Sequence, residues 1–138
     1  MTTCYKVELR RHRTGLLHST LSVLLLSQWD VVYTPNEWAK APFNSGLFVF
    51  TGLKRAQQFA SYSQLKMEVW ECECKDPVEA PKFVPSPSRF AQDNHETFQR
   101  FWEGQESRQD QLYMLPTPTA TAFFKQVKLT KHIEEVLR

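Results

Sequence analysis

The chain has 138 residues, of which 41% are hydrophobic and 13% aromatic, and its formal charge is +2. This length suits a single domain that folds without disulfides or metals as supports, and the composition excludes a disordered chain. No apolar run reaches the roughly eighteen residues that a membrane span needs, and the scattered glycines exclude a glycine-rich phosphate loop. We therefore predict one soluble domain over residues 1–138.

The cysteine pattern indicates a reducing compartment. Cys4, Cys72 and Cys74 cannot all pair within one chain, and no spaced cysteine framework accompanies them. Arginines within 10–13 precede leucine-rich residues, as in a secretory signal, but polar residues interrupt the apolar run and no small-residue cleavage site follows. We expect reduced thiols and a cytoplasmic location.

The first half of the chain predicts a hairpin, a central strand and a helix. Polar and apolar residues alternate over 5–10, which is typical of a half-buried strand, and a turn at 13–15 leads to a partner strand at 17–21. The apolar run 47–50 is typical of a strand buried on both faces, and Thr51 is suited to cap the next helix. The apolar face of that helix consists of Leu53, Ala56, Phe59 and Ala60.

The middle of the chain predicts a strand, a connector and a helix. Residues 66–74 have the alternation of a strand, with Trp70, Cys72 and Cys74 on one face. Four prolines make 76–88 an extended connector. Aromatic residues at helical spacing then predict a helix that ends at Gly104.

The last part predicts strands at 112–115 and 122–129, followed by a terminal helix capped by Thr130. The apolar positions of that helix are Ile133, Val136 and Leu137. The expected fold class is α+β, with a mixed or mostly antiparallel sheet of about five to seven short strands and two or three helices.

Two residue pairs suggest chemistry, and each has a simpler interpretation. Glu71 and Glu73 lie two apart on one strand face, a spacing that acid–base carboxylates can use, but a solvated strand face gives the same pattern and is preferred. Cys72 and Cys74 offer two thiolates to a metal, but the second ligand pair of a zinc site is absent. We therefore expect these thiols to pack in the core, with no metal site.

The aromatic residues around a proline-bounded loop are the preferred binding candidates. Tyr33, Trp38 and Phe43 lie in or beside this loop, close to Lys40. Such aromatics stack on bases or ligand rings or anchor a protein partner, although loop packing explains them too. An exposed patch that also includes Arg55 is the expected binding surface.

The charge is unevenly distributed along the chain. Residues 1–66 carry a net +5, residues 67–110 a net −5 and residues 111–138 a net +2. Ordinary solvated surface explains this pattern, whereas a basic face built from both ends of the chain would suit an anionic partner.

The order of the apolar segments resembles a known family. This order consists of Tyr5-Lys6-Val7, residues 46–50 with a helix carrying Ala56 and Phe59, residues 67–70, and a late hairpin at 112–116 and 123–129. It is similar to that of small bacterial and phage proteins with an ADP-ribosyltransferase-like fold. The resemblance implies NAD as a cofactor and a glutamate at the start of the late strand. That place reads Gln109-Asp110-Gln111, with Glu106 the nearest glutamate, and the nicotinamide-side residue falls on Lys6.

Together these observations predict a non-catalytic binding or regulatory domain of a bacterial or phage protein, with no cofactor. The expected partner is a protein. Nucleic acid is a further possibility, although no nucleic-acid motif supports it, and no membrane association is expected. The alternative is an ADP-ribosyltransferase-like enzyme that uses NAD, with Lys6, Glu106 and Asp110 as its catalytic residues.

Overall fold

The fold was analysed in a computed structural model, which describes residues 3–10, 15–19, 31–43, 45–62, 66–79, 83–85, 99–104, 114–117 and 120–136. Within this part of the chain, one seven-stranded sheet dominates, and all of its pairings are antiparallel. The other regular elements of these described residues are a separate two-stranded sheet and two helical segments. The α+β class is confirmed at this level, with sheet predominating.

The strands of the large sheet differ greatly in length. They are β1 (Cys4–Arg10), β2 (Leu17–Ser19), β3 (Val32–Tyr33), β4 (Trp38–Lys40), β5 (Leu47–Phe50), β6 (Met67–Val78) and, after the small sheet, β9 (Thr121–Val136). The small sheet pairs β7 (Phe83–Pro85) with β8 (Met114–Pro116). Within the described residues, the helices are α1 (Leu53–Ser61) and the helical residues 99–102. None of these described helices is long and apolar enough to cross a membrane.

Four strands of the large sheet form a closed circuit of strand pairings. β6 pairs with β1 along 67–72 and with β9 along almost its whole length. On their other edges both β1 and β9 pair with β5. The circuit β1–β6–β9–β5 is therefore a closed ring, to which β2 and β3 add beside β1 and β4 adds beside β9.

The ring separates two apolar clusters. The inner cluster contains Cys4, Leu17, Tyr33, Ala39, Leu47, Val49, Trp70, Cys72, Cys74, Val127 and Leu129. The outer cluster forms where α1 packs on the sheet, and it contains Val7, Leu9, Phe50, Ala56, Ala60, Met67 and Val69. Side chains of successive strand residues alternate between the two clusters, as the pleat requires.

Helix α1 is confirmed, with a different start. Ala56 and Ala60 are fully buried, and Leu53 and Phe59 pack against the same cluster, as the periodicity predicts. The N-cap is Gly52, in extended conformation, and not Thr51. The predicted hydroxyl cap is therefore wrong by one residue, which is within the usual uncertainty of helix ends.

The predicted terminal helix is wrong. The segment after Thr130 continues β9 without a break and pairs with β6 as far as Val136. Register shifts between Val69 and Trp70 and between Glu71 and Cys72 interrupt the ladder. Such irregularities disrupt the strict alternation along the strand, so the spacing of Ile133 and Val136 imitates a helical pattern.

The polar side of β1 is also buried, contrary to the half-buried strand predicted for it. Lys6 is 4% exposed and Glu8 is fully buried. Because α1 covers one face of β1 and the closed ring encloses the other, neither face reaches solvent. The hairpin of β1 with β2 is confirmed, and Gly15, the last residue of the predicted turn, has a left-handed φ of 71°.

Gly46 lies where β5 approaches two other strands. A Cβ atom at this position would be 3.0 Å from Phe123 Cβ on β9 and 3.3 Å from Val78 Cγ2 on β6. The first of these atoms is attached directly to backbone, so it has little freedom to move away. The ring closes tightly here because residue 46 has no side chain.

Gly46→Ala is expected to lower the free energy of unfolding by about 1–3 kcal/mol, because the added methyl group overpacks this crossing. The measurement is denaturant unfolding followed by circular dichroism. Gly52→Ala adds the same methyl group where it meets nothing within 4 Å, so its expected cost is only that of a poorer N-cap residue for α1. A free energy of unfolding for Gly46→Ala equal to that of the unmodified protein would contradict the tight closure.

Candidate functional site

Trp38 and Lys40 lie on the outer face of β4, although a loop was predicted for this segment. Ala39 between them points into the inner cluster, so its neighbours point the opposite way. β4 pairs with β9, and Trp38 lies directly opposite Lys128. The sequence prediction of a loop is corrected, because pairing with the long strand β9 makes the segment extended.

Two lysine ammonium groups lie close to the indole ring of Trp38. Lys75 Nζ lies 4.2 Å from the ring centroid and Lys128 Nζ lies 5.1 Å from it. A cation over an aromatic face contributes about 0.5–1 kcal/mol at an exposed site. We call Trp38, Lys40, Lys75 and Lys128 the β4 surface.

The positive charge of the β4 surface is only partly compensated. Lys128 pairs with Glu73 at 3.2 Å, whereas Lys40 and Lys75 have no ion-pair partner among the described residues. Asp76 accepts a hydrogen bond from Gln126 at the edge of this surface. The charge available to a partner is therefore mainly that of Lys40 and Lys75.

Phe43 projects from a pinned turn that directly follows β4. It is 58% exposed and has a φ of 54°, a conformation that bulky side chains rarely adopt. The Ser45 hydroxyl donates to the carbonyl of Pro42 at 2.5 Å, and Lys125 Nζ donates to the carbonyl of Ser45 at 3.0 Å. These bonds hold an exposed aromatic ring on a rigid base.

Tyr33 and Arg55 are placed apart from the β4 surface. Tyr33 is 2% exposed and packs in the inner cluster opposite Leu17, so its ring is not available to a partner. Arg55 is exposed on α1, which packs beside Val69, roughly 20 Å along β6 from Lys75 at 3.3 Å per residue. Of the five predicted binding residues, the structure therefore brings together Trp38 and Lys40, with Phe43 next in the chain.

Lys6, the catalytic candidate of the family resemblance, is enclosed by the ring. Its Nζ donates to the carbonyl of Phe48 at 2.6 Å and lies 5.5 Å from the ring centroid of Tyr33. Burial lowers the pKa of Lys6, and the charge of Glu8 opposes this change. The other two candidates, Glu106 and Asp110, lie outside the described residues.

The three cysteines converge inside the ring. Cys4 lies directly opposite Cys72 across β1 and β6, and the sulfur atoms of Cys72 and Cys74 are 3.8 Å apart. Burial raises the pKa of the Cys4 thiol to about 12, and contact with Cys72 together with burial raises the pKa of Cys74. All three are free cysteines in the core, where a neutral thiol is a weak nucleophile. No cluster of three or more His, Cys, Asp or Glu residues in the described ranges could hold a metal ion.

A buried carboxylate at the other end of β6 ties several strands together. Glu68 accepts two hydrogen bonds from Arg10, at 2.6 and 3.1 Å, and one from Trp70 Nε1 at 3.1 Å. His132 Nε2 lies 3.5 Å from the same carboxylate. Although burial opposes ionisation, the hydrogen bonds from Arg10 and Trp70 lower the pKa of Glu68. The guanidinium group of Arg10 donates to Glu68 and also to the carbonyl of Gly15. These bonds connect parts of the fold to one another, so we interpret this cluster as structural.

Sequence reasoning missed the two lysines of the β4 surface. Lys75 and Lys128 come from strands far apart in the chain, and only the pairing of β6 with β9 brings them to Trp38. The sequence offered one indication of their position: each directly follows a buried residue, Cys74 or Val127, so its side chain points to the outer face of the sheet. Glu71 and Glu73 are partly exposed, and Glu73 serves this surface as the ion-pair partner of Lys128.

Comparison of the chain with protein-family models, with curated proteins and with solved structures finds no match. The function must therefore be inferred from the geometry of the described residues.

The native thiols are expected to resist Ellman's reagent for minutes, whereas all three react in guanidinium chloride. Because folding raises the pKa of Cys4 and of Cys74, these two thiols retain protons that the unfolded chain releases above about pH 8.5. They therefore make the free energy of unfolding fall as the pH rises from about 9 towards 12, whereas the lowered pKa of Lys6 acts in the opposite direction. Denaturant titrations at several pH values isolate the thiol contribution by comparison with Cys4→Ala: over this range the free energy of unfolding of the unmodified protein should fall more, or rise less, than that of the variant. Rapid labelling of native protein would contradict the closed ring.

Lys6→Met is expected to destabilise the fold by about 3 kcal/mol, because it leaves the buried charge of Glu8 without its neighbouring cation. The double variant Lys6→Met with Glu8→Leu should lose less stability than the sum of the two single changes. Denaturant unfolding of all four proteins measures this coupling. Strict additivity would show that the two charges do not interact.

Proposed function

We propose that this protein is a non-catalytic binding domain that engages a negatively charged macromolecule through the β4 surface. The observation that carries the proposal is the pair of lysine ammonium groups over the ring of Trp38, at 4.2 and 5.1 Å. A basic group of side chains organised around an aromatic ring offers charge complementarity together with a flat contact area.

Burial and position support this role for the surface. Lys40 and Lys75 are exposed, and Trp38 is partly exposed, so a partner can reach all three without unfolding the sheet. The lysines belong to three strands held in fixed register, which reduces the ordering cost that binding has to overcome. Phe43 extends the accessible aromatic area beyond the end of β4.

The polar groups inside the ring support a binding role over a catalytic one. Lys6 is enclosed and donates to a backbone carbonyl, and the pKa of Cys4 is raised and not lowered. A catalytic nucleophile requires the opposite trend, a lowered pKa and access to substrate.

A fluorescein-labelled heparin fragment is a suitable polyanionic probe. We expect salt-dependent binding, measured by fluorescence anisotropy, and at least tenfold weaker affinity for the double variant Lys40→Glu with Lys75→Glu. The matched control is Lys54→Glu with Arg55→Glu on α1, which makes the same charge change at exposed positions away from the β4 surface.

The control variant should bind within about twofold of the unmodified protein, because only a general loss of charge affects it. Absence of binding by the unmodified protein, or equal weakening in both double variants, would overturn the proposed function.

A further inference from the structure

We infer that the negatively charged partner of the β4 surface is single-stranded nucleic acid. One base displaces the Lys75 ammonium group from the ring of Trp38 and stacks there, and Lys75 and Lys40 contact the neighbouring phosphates. This inference rests on the proposed function and specifies its ligand. The juxtaposition that carries it is a partly exposed aromatic ring with the ammonium groups of Lys75 and Lys128 over it and Lys40 two residues along the same strand face.

The chemistry of a nucleotide matches both halves of this arrangement at once. A base presents a π face that stacks on an aromatic side chain, and a phosphate lies within one nucleotide of it. An acidic protein segment would meet the lysines with its carboxylates but would gain little from the indole face. Sequence-tolerant single-strand binders combine these same two features, a positive groove and aromatic stacking.

The spacing along β4 supports the same ligand. Trp38 and Lys40 lie two residues apart on one face, which is roughly 6.5–7 Å along a strand. Lys75 approaches the same ring from β6, on the opposite side of β9. A strand of nucleic acid that crosses β4, β9 and β6 therefore meets the ring of Trp38 on β4 first, with Lys40 beside it, and the cations Lys128 and Lys75 beyond it.

The charge balance of the surface favours an open strand over a duplex. A duplex presents closely spaced phosphates with its bases turned inward, so the ring of Trp38 gains no stacking from it. The surface also has few uncompensated lysines, because Glu73 neutralises Lys128. Stacking must therefore supply a substantial share of the affinity, and only unpaired bases provide it.

Phe43 supplies a second ring at the end of β4. It is exposed and is held by the bonds of its turn, so a second unpaired base has a place to stack beyond Lys40. The order along the chain is then ring, cation and ring. This order is suited to consecutive nucleotides of one strand.

The test compares two labelled 12-mers with the same number of phosphates, oligothymidylate and a fully abasic oligomer, by fluorescence anisotropy at several salt concentrations. We expect roughly tenfold tighter binding of oligothymidylate, since stacking contributes about 1–3 kcal/mol per base. Trp38→Leu should abolish this difference, whereas Trp38→Phe should retain most of it. Lys75→Ala should weaken both oligomers and reduce the slope of log K against log salt by about 0.7.

The heparin fragment separates failure of this inference from failure of the proposed function. Suppose that the protein binds heparin but binds the two oligomers with equal affinity, or binds neither oligomer. This result would overturn nucleic acid as the ligand and would leave the β4 surface as a polyanion-binding surface. Tighter binding of polyglutamate than of oligothymidylate would assign the surface to an acidic protein. If the thermal transition shows that Trp38→Leu does not fold, the other two variants decide the outcome. The inference then requires that Trp38→Phe keeps most of the preference for oligothymidylate and that Lys75→Ala weakens the binding of both oligomers.

Discussion

The pairing of β6 with β9 is the interaction on which the rest of this structure depends. β9 is 16 residues long, and β6 lies along one of its edges while β5 and β4 share the other. Because β1 connects β6 back to β5, this single ladder closes the ring. The two apolar clusters, the position of α1 and the β4 surface all follow from where β9 runs.

Closure determines which polar groups are buried. The ring leaves no solvent on the inner side of β1, so Lys6 and Glu8 are enclosed together with three thiols. Burial of one charge is costly unless another compensates it. The interior therefore combines groups that are chemically reactive in water but are neutral or mutually balanced here.

Local patterns predicted the elements that depend on local contacts. The strand at 47–50, the apolar face of α1 and the hairpin of β1 with β2 follow from periodicity and from Gly15. The strand structure at the end of β9 was not predicted, because irregularities in the ladder change the alternation on which such predictions rest.

The candidate site was half predictable. Trp38, Lys40 and Phe43 are close in sequence, whereas Lys75 and Lys128 reach the ring only through long-range pairing, which periodicity does not encode. Tyr33 was misplaced for the same reason, since its burial depends on pairing with Leu17.

The backbone at Phe43 has a consequence for how this protein could be engineered. A left-handed conformation at a non-glycine residue costs on the order of 1 kcal/mol, and the ring is largely in water, so its apolar surface returns little of that cost. Glycine or asparagine would relieve the strain, and a selection for thermostability alone would favour either of them. Such a selection would then remove the most exposed aromatic side chain beside the β4 surface. At this turn, greater stability and retention of an interaction surface are opposing goals.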